Sequence, residues 1–275
     1  MFSDEELESL LEYMLEFEFL EDLEGELIAG KEAERLLRSR EFFAHFDSTD
    51  DFSVYNNMKK IGQVPLSVSV QVGQNIYLSA KAWQIKDIDV KGKKVHVELA
   101  VDGKAPIFHG DRADVTNEIR MRMREILLDT SPYENDGNIK KILDKISATT
   151  LKEEGLNWLV TNDASGLVTF KGTKINATLQ LCLNMLNERS AYRLYEQESF
   201  IYGPNIKADI KKLLQLKYSE KDIYKYLIKN KDLAEVYLVS HKYRILLPDT
   251  LRVKYIIDNF LALDEMYEYI KSYKD

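Results

Sequence analysis

Apolar residues at the start of the chain recur at helical spacing. Leu7, Leu10, Leu11, Met14 and Leu15 lie three to four positions apart, behind Ser3 and Glu6 in the arrangement of a capping box. This predicts an amphipathic helix running to about Phe17. Residues 20–28, with Glu24-Gly25 as a turn, predict a hairpin, and a second helix starts near Lys31. From Phe52 to Phe108 the period changes to two, through Leu66, Val68, Val70 and Val72, then Ile76 and Leu78, then Val95, Val97 and Leu99. Turns fall at Gly73-Gln74, Lys91-Gly92 and Asp102-Gly103.

Short strands with regular turns predict an antiparallel barrel or a strongly bent sheet. After Asp111 helical spacing returns, and a mixed segment follows with strands near residues 158–160, 167–170 and 193–201 and a helix over 176–187. The last 70 or so residues read as helices. Ser219 with Asp222 caps one of them, and Pro248 interrupts the run. The predicted class is α+β: a winged-helix remnant with its exit helix over residues 1–46, an antiparallel β-barrel-like domain over 47–110, and a mainly helical α/β domain over 111–275.

Composition narrows the class. At 275 residues and 45% hydrophobic, the chain can bury two or three cores, and only 12 Gly and 5 Pro argue for order nearly throughout. No apolar run approaches the roughly 20 residues of a membrane span, and the acidic start is unlike a secretory signal. A cytoplasmic location and no membrane partner are the expectation. Cys182 is the single cysteine, which excludes an internal disulfide or a cysteine zinc site, and its apolar neighbours imply a packing role. The net charge of −8 opposes a nucleic-acid-coating role, but it is uneven. Residues 1–51 hold 17 Asp+Glu against 4 Lys+Arg, a net of −13, and the rest of the chain carries +5.

Three motifs suggest catalysis and fail on inspection. Gly25-Glu26-Leu27-Ile28-Ala29-Gly30-Lys31 matches the first seven positions of a phosphate-binding loop, but Glu32 stands where a hydroxyl must hold magnesium. Phe260-Leu261-Ala262-Leu263-Asp264-Glu265 imitates a magnesium-positioning strand, yet Phe260, Leu263, Met266, Tyr267 and Ile270 are spaced as a helical face. His96-Val97-Glu98 resembles half of a zinc deaminase site whose other half needs two cysteines. His45, His109 and His241 are too scattered for a shared metal. No cofactor is expected, and the isolated chain is not expected to be an enzyme. Basic positions with aromatic neighbours remain as candidates for phosphate contact: Arg120, Arg122 and Arg124, then Lys171 and Lys174, then Lys207, Lys211 and Lys212.

The ordered series Gly30, Arg35, Ser39, Phe42-Phe43, Phe46, Tyr55, Ile61-Gly62, Gly73, Ile76-Tyr77-Leu78, Ala82-Trp83, Ile85, Ile88-Asp89, Gly103, Pro106, Phe108 and Gly110 resembles the segment that follows the winged helix in large helicase-related (Lhr-type) superfamily 2 helicases of the DEAD/DEAH-box group. Phe170-Lys171-Gly172-Thr173-Lys174-Ile175-Asn176-Ala177-Thr178-Leu179 looks like that family's Gly-x-x-Val/Ile-Asn-x-x-Leu segment. The family usually has a glycine where Ala80 stands.

The resemblance implies the accessory region behind an ATP-dependent motor, clamping the translocated strand and lacking the motor itself. It implies single-stranded or partly duplex nucleic acid as one partner and helicase motor domains, on the same chain or a separate one, as another. Trp83, Arg120, Arg124, Lys171, Lys174, Lys207, Lys211 and Lys212 are the candidate nucleic-acid contacts. Trp83 reads in two ways, as a base-stacking ring or as core between alternating strands. The competing function is a protein-interaction module that docks a helicase or another partner through the acidic N-terminal helix.

Overall fold

The computed structural model describes residues 3–38, 51–65, 72–101, 114–150, 157–160, 165–187, 192–195, 199–238 and 241–272. The chain is mixed α+β and divides into two compact units, residues 1–112 with 224–256 and residues 113–223 with 257–275. Readings placed on residues 39–46, 66–71 and 102–113, including Leu66, Val68, Val70, His45, His109 and the Asp102-Gly103 turn, lie outside the described residues.

The first unit begins with helix α1 (Asp4–Glu16), and Ser3 and Glu6 form the reciprocal cap. Strands β1 (Leu20–Leu23) and β2 (Glu26–Ala29) follow as a hairpin. Its turn residues Glu24 and Gly25 both take positive φ, 56° and 92°, the left-handed pair that a two-residue hairpin loop requires. Gly30 then caps α2 (Lys31–Leu37), where a Cβ would stand 2.4 Å from the Glu18 carbonyl oxygen. The phosphate-loop look-alike is therefore a strand and a helix cap.

Strands β3 (Asp51–Asn56), β4 (Lys59–Pro65), β5 (Asn75–Leu78), β6 (Lys81–Asp89) and β7 (Lys94–Leu99) form a sheet in the order β4-β3-β7-β6-β5. The expectation of an all-antiparallel unit is corrected here, because β3 runs parallel to β7. Period-two burial is the same in either direction, so the pattern did not carry the strand sense. Bulges at Val54/Tyr55 and Ile85/Asp87 curl the sheet. Its two end strands lean together, with Ser79 Oγ donating to the Ile61 carbonyl at 3.0 Å and Leu78 lying against Gly62. The concave side buries Phe52, Val54, Ile76, Trp83, Ile85, Val95 and Val97. The β5–β6 loop consists of Ser79 and Ala80, at φ 52° and 60°. Both hold a conformation that costs a residue with a Cβ.

The second unit carries α3 (Asn117–Leu128), α4 (Gly137–Thr150), β8 (Asn157–Val160), β9 (Ser165–Val168), α5 (Thr173–Asn187), β10 (Arg193–Tyr195), β11 (Phe200–Gly203) and α6 (Ile206–Leu216). Its sheet, ordered β10-β11-β9-β8, is antiparallel at every pairing. Close glycines make the packing possible: a Cβ on Gly203 would strike the Tyr192 ring at 2.2 Å, and one on Gly166 the Phe200 ring at 2.1 Å. Helix α5 is the central element, with every residue from Ile175 to Leu183 buried. Cys182 lies on it, and burial pushes its thiol up to about 12.

The remaining helices are α7 (Glu220–Lys229), α8 (Lys231–Tyr237), α9 (Asp249–Phe260) and α10 (Leu263–Lys271). Ser219 and Asp222 cap α7 as expected, and α9 begins directly after Pro248. In the first unit, Val236 of α8 packs against the curled sheet. There too, Tyr13 of α1 donates to the Ile245 carbonyl at 3.1 Å and accepts from Arg252, while Lys254 pairs with Glu6. In the second unit, Met266, Tyr267 and Ile270 form the buried face of α10 while Asp264 and Glu265 are exposed. The Asp-Glu pair thus sits on a solvated helix face.

Candidate nucleic-acid interface

The segment from Thr169 to Asn176 is held from beneath by a buried polar network. Phe170 takes φ 48°, which turns the chain out of β9. Thr169 Oγ1 donates to Asn176 Oδ1 at 2.5 Å, and Asn176 Nδ2 donates to the Lys171 carbonyl at 2.8 Å. Ser199 Oγ donates to the same carbonyl at 3.1 Å. Asn176 is buried, so these partners replace the water it gave up.

The same segment is locked sideways to the start of α3. Gly172 N–H donates to Asn117 Oδ1 at 2.7 Å, Thr173 N–H to the Val115 carbonyl at 3.0 Å, and Val115 N–H to Thr173 Oγ1 at 3.0 Å. A Cβ at Gly172 would stand 2.8 Å from that carbonyl, so glycine is what lets the two backbones meet. A cavity of about 230 Å³ opens between the two helix starts, lined among others by Asp114, Glu118, Lys174 and Glu265. Three carboxylates around one lysine make it a poor receptacle for phosphate. Lys174 is itself exposed.

Lys171 is half-buried, with its ammonium 5.1 Å from the centre of the Tyr269 ring. Lys207, Lys211 and Lys212 are all exposed on α6, and Lys212 is joined to Asp209 at 2.8 Å. Asp209 is buried and also accepts from the Tyr192 hydroxyl at 2.5 Å and from Asn187 Nδ2 at 3.1 Å. Burial alone raises an aspartate's pKa. Here the hydrogen bonds from Lys212, Tyr192 and Asn187 and the Lys212 charge outweigh it, and the carboxyl is held below its ordinary value. The Asn187–Asp209 bond sets the start of α6 at the C-terminal end of α5. Lys174 and the α6 lysines therefore mark opposite ends of a 15-residue helix, about 20 Å apart at 1.5 Å per residue.

Two candidates are not on the surface. Arg120 is 4% exposed, with its guanidinium against Met123 Sδ at 3.7 Å, while Arg124 is half-buried and Arg122 pairs with Glu125 on the exposed side of α3. Arg120 fell inward because it shares a helix face with the buried Leu127, seven positions on. Trp83 is 8% exposed, packed in the core of the first unit with Nε1–H donating to the Leu78 carbonyl at 2.9 Å. Of its two readings, the ring takes the core one, and its faces meet protein.

No protein-family model, curated protein or solved structure matches this chain.

Among the described residues no group of three His, Cys, Asp or Glu side chains is arranged to hold a metal, and no helix is long and apolar enough to cross a membrane. His96 lies by Tyr55 on the sheet, and Glu98, two positions along the same strand, pairs with Lys86. The structurally demanding residues that sequence reasoning missed are Asn117, Thr169, Tyr192, Ser199 and Asp209. Their partners lie up to 55 positions away, and no local spacing announces them.

Proposed function

We propose that this chain is a nucleic-acid-binding accessory region of an Lhr-type ATP-dependent helicase, contacting the translocated strand and contributing no motor residue. The α1–β1–β2–α2 segment is then a winged-helix remnant, the curled five-stranded sheet a barrel-like domain, and the motor domains, in the same chain or a separate one, its cytoplasmic partner. The observation that carries the reading is the exposure of Lys174 at one end of α5 and of Lys207, Lys211 and Lys212 at the other. A separation of about 20 Å corresponds to about six nucleotide steps at 3.4 Å each. Ala80 adds support: its positive φ is the kind that favours glycine, at the position where the helicases usually have one.

The test is anisotropy of a labelled single-stranded oligonucleotide at two salt concentrations. Binding is expected to be weak and steeply salt-dependent, because the N-terminal acids oppose a modest basic surface. Charge reversal at Lys207 and Lys211, or at Lys171 and Lys174, should weaken it and flatten the salt slope by about 0.7 per lost contact. No binding at low salt, or binding indifferent to both reversals, would overturn the proposal.

A further inference from the structure

We propose that the β1–β2 hairpin is a docking surface for a basic, apolar segment of a partner protein. In the competing reading the acidic helix α1 is the docking element, but its inward side is engaged within its own unit. Leu10, Leu11 and Met14 are half-buried, Tyr13 bonds to the Ile245 carbonyl and Arg252, and Glu6 pairs with Lys254. Among the described residues the hairpin strands show no such side-chain bond to the rest of the unit. Seven of its eight strand residues are exposed, Leu23 at 57%, Leu27 at 49% and Ile28 at 39% among them.

The pairing register decides what this surface offers. Glu21 stands opposite Ile28 and Leu23 opposite Glu26, so these four share one face. An apolar diagonal, Leu23 and Ile28, is crossed by an acidic diagonal, Glu21 and Glu26. Residues 1–27 hold 11 Asp+Glu and no Lys or Arg, so the surrounding field is negative, offset at Glu6 by its pairing with Lys254. Such a surface repels nucleic acid and anionic lipid and attracts a segment that alternates lysine or arginine with aliphatic residues. Among the described residues the hairpin is a two-stranded sheet with no third strand, which leaves edges to which an extended segment can add.

The experiment titrates the full chain against two labelled peptides, one alternating lysine and leucine and one oligolysine of equal charge, by anisotropy. The alternating peptide should bind about tenfold tighter or better, a difference of ~1.4 kcal/mol. Leu23→Ser with Ile28→Ser should abolish that preference with the thermal unfolding curve unchanged, since both side chains are exposed. Glu21→Lys with Glu26→Lys should weaken both peptides. Equal affinity for the two peptides, or a preference that survives the double serine variant, would overturn the proposal. So would a dimer in sedimentation that the serine variant dissociates, which would make the occupant a second copy. Loss of oligonucleotide binding in the serine variant would also overturn it and assign the hairpin to the nucleic-acid interface instead. Failure of the lysine reversals described above leaves this result untouched, so the two proposals fall separately.

Discussion

Replacing Trp83 by alanine separates a core role from a stacking role. The ring packs in a cluster with Phe52, Val54, Ile76, Ile85, Val95 and Val97, and its Nε1–H is bonded to the Leu78 carbonyl. Truncating a buried aromatic in such a setting costs about 3–5 kcal/mol, the lost transfer energy plus the cavity left behind. The hydrogen bond accounts for about 0.5–1.5 kcal/mol of that. Trp83→Phe keeps most of the apolar body but not the donor, so it should cost less, about 1–2 kcal/mol. Against a typical domain stability of about 5–15 kcal/mol, the alanine variant should show a large shift in urea midpoint followed by far-UV circular dichroism. Oligonucleotide affinity, measured well below that midpoint, should match the parent. An alanine variant within about 1 kcal/mol of the parent that binds the oligonucleotide more weakly would refute the reasoning.

Two further outcomes follow from single positions. Ala80→Gly should stabilise the first unit by about 0.5–1 kcal/mol in urea unfolding, because relief of the left-handed strain exceeds the extra chain entropy of glycine; a loss of stability would refute the left-handed turn. Asp209 has a folded-state pKa held below its unfolded value of about 3.9, so its contribution is complete above about pH 5 and disappears as pH falls through 4 and lower. Asp209→Asn should therefore flatten the loss of stability between about pH 5 and 3, and an acid transition as steep as the parent's would remove Asp209 as a cause.

The local elements were legible in the sequence because their causes are local. Ser3 and Glu6 cap α1, Glu24-Gly25 turns the hairpin, Ser219 and Asp222 cap α7, and the spacing of Met266, Tyr267 and Ile270 made α10 a helix in place of a magnesium-binding strand. Each of these is settled within one turn of chain, where capping, φ preference and periodicity act. What only the tertiary structure decided depends on residues far apart. The parallel run of β3 beside β7 left no trace in a period-two pattern, since alternate burial is indifferent to strand direction. Arg120 looked like a surface base among Arg122 and Arg124, and the phase of α3 turned it inward with Leu127. Lys171 and Lys174 lie close to Lys207, Lys211 and Lys212 in composition and type. Yet the bond from Asn187 to Asp209 sets them at opposite ends of α5, because the start of α6 is tied there by a buried carboxylate that takes donors from Asn187 and Tyr192, 22 and 17 positions away, as well as from Lys212 one turn on.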